Sequence, residues 1–405
     1  MYKIYQLKNG MTLICEKMSF VKSVSVGIWV RAGSMYETES ESGISHFIEH
    51  MLFKGTSKRS AKQIAEEIDA VGGQMNAYTS RECTCFYSRT LGDSLALQLD
   101  ILSDMYYNSL FSQEDIDLEK SVILEEISMY EDSPEDLVLD KLESNMWKGS
   151  PLGFNVAGTK KSVKKLDRAQ MCAYYKKMYT PENTVISVAG CFEESELVNL
   201  CEKYFSQEMP FSVQKCEPTI FHSGSWELKK DIEQSHIAMG FPAYDLSSSK
   251  IYTLSLMNNI LGGSMSSRLF QSIRENAGLC YSIYSYTGVF PTAGMLGIYT
   301  GLNSNSVEKA LSMIEKEIHY ICSDFVTDYE LKKVCGQLKC SVLMSRESVS
   351  TRMSENGKSL LLLGKIRTDE EIIKIIDSVT KNDIIETAND VFNSGNKATF
   401  ILRNV

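Results

Sequence analysis

Histidine is scarce in this chain, with five in 405 residues. Long apolar runs are missing altogether: none reaches the roughly 18 residues that a membrane-crossing helix requires, so a helical membrane protein is excluded. Positive charge is in deficit, with 42 Lys and Arg against 52 Asp and Glu, and a net charge of −10 speaks against nucleic acid while suiting basic peptides. The eleven cysteines are odd in number and scattered. Their one close pair, Cys83-Thr84-Cys85, lies on what reads as a strand, so neither a disulfide framework nor a zinc ribbon fits. The opening residues have neither a secretory apolar segment nor an Arg/Ser-rich transit pattern. The expectation is a globular protein of a reducing cytoplasm.

Against that scarcity, two of the five histidines fall four residues apart in His46-Phe47-Ile48-Glu49-His50. On a helix, positions i and i+4 share a face, so His46 and His50 can aim both imidazoles at one ion with Glu49 beside them. The order His-x-x-Glu-His is the inverted zincin signature. A catalytic zinc takes three protein ligands, so a third must come from elsewhere. The segment Leu118-Glu119-Lys120-Ser121-Val122-Ile123-Leu124-Glu125-Glu126-Ile127 supplies it. Glu119 and Glu126 are seven apart and share a helix face, whereas Glu125 points about 100° away. Apolar neighbours Val122, Ile123 and Ile127 make a lone carboxylate costly there, which favours a cation and makes Glu126 the expected third ligand.

The rest of the pattern indicates an α+β chain of two domains, 1–210 and 225–405. Each is expected to be a mostly antiparallel sheet covered by helices, joined by a Pro- and Gly-containing connector over 206–226. Residues 4–16 read as a hairpin with Asn9-Gly10 in a type I′ turn, and Val24, Val26, Ile28 and Val30 share one face of a strand. Helices are expected over about 43–54, after the Ser60/Gln63 capping box, and over about 93–109, 112–131, 134–147, 164–179 and 193–205. A strand is expected over 183–190 and an extended stretch over 74–91. Beyond the connector the order restarts with a strand at 236–242, helices at 250–261 and 266–277, two strands over 280–301, and helices at 306–322 and 328–345. A glycine-terminated helix pair recurs at an offset of about 206 residues, the mark of a duplication, and the second copy carries no metal ligands. Arg274, in a last helical turn, and Tyr281, opening a strand, have ordinary structural readings on spacing alone.

Taken together, several blocks resemble the inverzincin peptidases that include pitrilysin, insulin-degrading enzyme and mitochondrial processing peptidase. The likeness is to the bacterial branch whose single chains have about this length. It covers both halves: Trp29 to Ser34, Gly43 to Thr56, Asn76-Ala77-Tyr78-Thr79, Val122 to Ile127, Tyr179 to Asn183, and Ser266 to Phe270 on through Tyr281. The resemblance implies zinc held by His46, His50 and Glu126, with Glu49 as general base and Glu119 as a helper acid. It implies that Arg274 and Tyr281 stabilise the tetrahedral intermediate and hold substrate, and that the strand bearing Asn76 and Ala77 is the edge on which a peptide adds. It further implies an endopeptidase acting on extended peptides inside a clamshell chamber. One chain carries both the zinc motif and the Arg/Tyr pair, so a homodimer with composite sites is expected. The stretch Leu261 to Met265 is short where a noncatalytic processing-peptidase subunit has a long glycine-rich loop, which counts against presequence specificity. Two rival readings are a noncatalytic scaffold, like the family's relatives in respiratory complexes, and a chamber that captures peptides without turnover.

Overall fold

The structure, a computed structural model, describes residues 2–208, 216–323 and 326–405. Part of the expected connector, residues 209–215, therefore lies outside the described residues. Among the described residues, eleven strands form two sheets. The first has six strands: β1 (Tyr2–Gln6), β2 (Thr12–Lys17), β3 (Ser23–Val30), β4 (Gln74–Thr79), β5 (Thr84–Leu91) and β6 (Thr184–Gly190), in the order β1-β2-β6-β3-β5-β4. The second has five: β7 (Gly224–Lys230), β8 (Ser235–Ala243), β9 (Cys280–Val289), β10 (Gly294–Leu302) and β11 (Ala398–Asn404), in the order β7-β11-β8-β10-β9. In each sheet one pair is parallel, β2 with β6 and β7 with β11, and every other pair is antiparallel. Apart from the extra edge strand β1, the two topologies match strand for strand. That repetition gives the duplication physical form and agrees with the α+β expectation.

The helices that carry the argument in the first half are α1 (Ile44–Leu52), α2 (Ala61–Ala70), α3 (Leu95–Asn108), α4 (Gln113–Asp132) and α5 (Pro134–Met146). The Ser60/Gln63 capping box opens α2 as expected. Three local expectations are corrected. The first hairpin does not use a type I′ turn, because Asn9 keeps a negative φ. Gly10, at φ +92°, takes the left-handed position after Gly10 N–H bonds to Leu7 O, a three-residue loop closing on the Leu7–Met11 pair. The helix expected over 164–179 is two helices, Lys160–Lys165 and Arg168–Met178, parted where Asp167 caps the second. The segment expected as an α-helix over 266–277 has its Phe270–Asn276 portion wound as a π-helix.

The chain divides by contact into two compact units, and neither is a continuous stretch. One gathers Met1–Ile127, Phe154–Cys216 and Met344–Ile366; the other gathers Ser128–Gly153, Glu217–Leu343 and Arg367–Val405. A simple cut between 210 and 225 is therefore amended, because one helical segment from each half is counted with the opposite unit. The physical reason is that each sheet has two faces to cover. In the first unit, Leu13, Val24, Val26, Ile28 and Val30 bury one face against α1, α3 and their neighbours. The reverse face, with Ile14, Trp29, Cys85 and Val185, is sealed by Val349, Met353 and Leu361 of the helix Val349–Leu363. Ser25 and Gly27 alternate with the valines of β3, yet β3 is buried on both sides. Gly27 makes room for Met353, and Ser187 Oγ donates to Met353 O at 2.7 Å. In the second unit α5 does the corresponding work, laying Leu142 and Met146 against Gly240 of β8.

Candidate metal centre

Helix α1 turns Ile44, Phe47, Ile48 and Met51 into the core, leaving His46, Glu49 and His50 on its other flank. Its start is fixed by Gly43, at φ +92°, where a Cβ would meet the backbone of Ala157 at 2.8 Å. Glu37, itself buried, caps that end: its carboxylate accepts the N–H of Gly43 at 2.8 Å and of Ser45 at 2.9 Å. Burial pushes the Glu37 carboxyl up to about 7 despite these two donors. Opposite α1, α4 inserts Ile116, Ile123 and Ile127 into the core, and Glu119 occupies the same buried seam. Glu126, two turns beyond Glu119, stands at the seam's edge.

This arrangement brings His46, His50 and Glu126 together. One ligand atom from each lies within 4.8 Å of the other two, and no other such group occurs among the described residues. Glu126 Oε2 is 3.6 Å from His46 Nε2 and 3.7 Å from His50 Nε2. These spacings are too long for hydrogen bonds. They are close to the separation of about 3.3–3.4 Å between donors set tetrahedrally at 2.0–2.1 Å from zinc. Burial, aided by the neighbouring His50, pushes the His46 imidazole down to about 4, so it is neutral at ordinary pH and its lone pair is available to a cation. His46 Nδ1 is buried with no hydrogen-bond partner among the described residues, so the imidazole's polar company is on its Nε2 side. Two imidazoles and a carboxylate, gathered without bonding one another, fit a zinc ion.

Around these three, the other residues singled out by sequence fall into distinct positions. Glu49 reaches toward β4, where Thr79 Oγ1 donates to its Oε2 at 2.5 Å. Burial raises the Glu49 carboxyl, and the Thr79 hydroxyl offsets part of that rise. Glu119 does not stand beside Glu126 as a second open acid. It is 2% exposed and accepts from His50 Nδ1 at 2.9 Å, while Lys54 pairs with its other oxygen. Its place is behind the ligand, orienting the ring. Asn76 and Ala77 lie on β4, which is an edge of the first sheet and, among the described residues, pairs with β5 alone. Asn76 Oδ1 accepts the Ala77 N–H at 2.8 Å, so a donor of this edge is covered by the strand's own side chain.

Arg274 and Tyr281 lie in the second unit. The Arg274 guanidinium sits 4.5 Å from the Phe270 ring centre and 5.0 Å from that of Tyr281. Both positions are irregular. Arg274 is in the π-helix, and Tyr281 is the residue skipped where the β9–β10 register shifts, Gly301 facing Ser282 and Leu302 facing Cys280. A bulge re-aims the side chain it extrudes, and Tyr281 is 79% exposed. Periodicity assigned this pair to helix end and core, and periodicity has no means of registering a π turn or a bulge. Sequence reasoning gave no role to Glu37, Lys54 or Thr79. The signal for Thr79 was its place on the β4 strand two residues past Ala77, whereas Glu37, in a polar loop, left none.

Comparison with known proteins bears on these observations. Residues 12–160 match the family described as Insulinase (Peptidase family M16), and residues 165–338 match the Peptidase M16 inactive domain. An uncharacterized zinc protease of Bacillus subtilis, YmxG, is 40% identical over 393 residues, 97% of this chain and 96% of its own. A protease from Helicobacter pylori of known crystal structure superposes with a TM-score of 0.93 at 18% identity, over 100% of this chain and 99% of its own. A chain of complex III2 from Candida albicans superposes with a TM-score of 0.87 at 21% identity, over 99% and 95%. At such identities the two structures share the fold, whereas the Bacillus relative, alike over nearly its whole length, establishes that this chain belongs to the insulinase family of zinc peptidases, peptidase family M16.

Proposed function

We propose that this protein is a zinc-dependent endopeptidase that hydrolyses extended or unfolded peptides bound as an added strand on β4. The observation that carries the reading is the convergence of His46, His50 and Glu126 beside a half-buried, base-competent Glu49. Those three residues would hold the metal. Zinc bound there supplies Lewis acidity and lowers the pKa of water from about 15.7 to near 7. Glu49 then takes the proton of the attacking water and returns it to the leaving amine, a role worth typically 10²- to 10⁴-fold. Thr79 holds the carboxylate for that exchange. The β4 edge offers main-chain donors and acceptors with little demand on side chains, which suits unfolded peptides of varied sequence. A substrate entering there displaces the Asn76 amide oxygen from the Ala77 N–H.

Arg274 and Tyr281 complete the proposal. As donors, they would stabilise the developing oxyanion, each costing on the order of 3 kcal/mol to remove. In a homodimer they would serve the metal centre of the partner subunit. The scaffold reading draws on the fold shared with the Candida complex III2 chain. The full ligand set and the half-buried base of this chain favour catalysis over it.

The test is hydrolysis of a quenched, unfolded peptide library by the purified protein, with products read by mass spectrometry and zinc measured in the same sample. Cleavage that a chelator abolishes, zinc restores and Glu49→Gln lacks is expected. Stoichiometric zinc with no cleavage would sink the peptidase reading, and no zinc at all would return the chain to the scaffold class.

A further inference from the structure

We infer that Lys54 sets the metal affinity of this centre from outside the ligand set, by fixing the carboxylate that orients His50; the inference rests on the zinc reading above. Glu119 occupies a seam of isoleucines on α4 at 2% exposure. A carboxylate in such surroundings holds one position only if both oxygens are engaged. One oxygen, Oε2, accepts from His50 Nδ1 at 2.9 Å, and the other, Oε1, is paired with Lys54 Nζ. Lys54 lies just past the end of α1, where its backbone N–H bonds to Met51 O at 3.1 Å, and its ammonium meets Glu119 of α4. Lys54 and His50 thus come from one helix terminus and clamp Glu119 of another helix between them. His50 presents Nε2 to Glu126 only while Nδ1 keeps its acceptor, so the chain from Lys54 to Glu119 to His50 passes the placement of an ammonium on to a ligand atom. The lysine itself, about one-third exposed, touches no ligand atom. It is a positioning residue.

Partners of this kind behind a ligating imidazole are worth about 10- to 100-fold in metal affinity. The experiment measures zinc dissociation constants of the full chain by competition with a chromophoric chelator, alongside the melting temperatures of the metal-free proteins. For Lys54→Met a 10- to 100-fold weakening of zinc binding is expected, measured well below a melting temperature that itself falls because Glu119 loses its cation, and Lys54→Arg, which keeps a cation in reach, stays within about threefold of the parent affinity. Because the lysine acts through Glu119, the double variant Lys54→Met/Glu119→Gln binds zinc no more weakly than Glu119→Gln alone. Unaltered affinity in Lys54→Met, or fully additive losses in the double variant, would overturn the inference. Should Lys54→Met fail to fold, Lys54→Gln answers the same question by the same two criteria. A parent protein that binds no zinc refutes the metal reading itself, and the two failures are thereby told apart.

Discussion

A hydroxyl and a buried acid carry the sharpest expectations for single side chains. Thr79 Oγ1 is bonded to the carboxylate of Glu49, and a hydrogen bond to a charged group contributes about 1.5–3 kcal/mol. Thr79→Val should therefore lower kcat about 10- to 100-fold while leaving KM within about twofold, and Thr79→Ser should retain most of the rate; steady-state kinetics on one peptide decides. Glu37 is governed by its proton. The folded chain holds that proton to about pH 7, whereas an unfolded glutamate releases it near 4.5. Between those values the folded state binds more protons, so the contribution to stability is complete below about 4.5 and is lost as the pH rises through 7. Relative to Glu37→Gln, which cannot titrate, the unfolding free energy should fall by on the order of 3 kcal/mol between pH 4.5 and 8. Urea unfolding at the two pH values checks this, and parallel behaviour of the two proteins would contradict it. At this scale much was legible in advance. The spacing of His46, Glu49 and His50 is a local property of one helix, and Glu126 followed from the phase of another. What a sequence does not record is which buried group a side chain meets across an interior, and so Lys54, Thr79 and the inward turn of Glu119 had to be seen.

Among elements, the helix Val349–Leu363 has the clearest consequences. It seals the reverse face of the first sheet, and Arg352 and Asn356 hold Glu16 of β2. Burial tends to raise the Glu16 carboxyl, but its bonds to Arg352 and Asn356 outweigh that and keep it below the ordinary value. Arg352→Met would leave a buried carboxylate short of its cation, at a cost of about 3–5 kcal/mol. The contact is also tight. A Cβ on Gly357 would lie 2.3 Å from Trp29 Nε1, so Gly357→Ala should destabilise the protein by about 1–3 kcal/mol. Denaturant midpoints of the two variants measure both costs, with Trp29 as an internal reporter. From Ser345 onward the apolar pattern announced no element, yet three helices and β11 follow. The buried residues Val349, Met353 and Leu361 are spread among Ser, Arg, Asn and Gly, because the surface they meet mixes Ile14, Trp29, Cys85 and Val185 with the small Gly27 and Ser187. An apolar stripe thinned to fit small neighbours resembles a solvated helix when read alone. β7 escaped notice for the opposite reason, being an edge strand with no fully buried residue. The alternation of β3, the capping box of α2 and the paired glycine stops were legible, because each is a rule of one element.

For the whole protein, the proposal concerns shared sites. If Arg274 and Tyr281 act on the partner subunit's metal, then Glu49→Gln chains and Tyr281→Phe chains, each inactive alone, should regain activity on mixing, since half of the sites in a mixed dimer combine an intact base with an intact tyrosine. Verified heterodimers without activity would dismiss composite sites. The likeness of the two sheet topologies, with one copy keeping ligands and the other an arginine and an extruded tyrosine, is the pattern of a duplicated scaffold whose copies have specialised. The exchange of helical segments has a further bearing, on biosynthesis. The first sheet is complete once residue 190 is made, but its reverse face stays bare until the stretch Met344–Ile366 leaves the ribosome, more than 150 residues later. Throughout that interval Ile14, Trp29 and Val185 confront solvent on a nascent chain, an invitation to chaperones, and a message truncated after residue 343 would yield a polypeptide with both the His46 and the Tyr281 regions in place yet no means of burying that face.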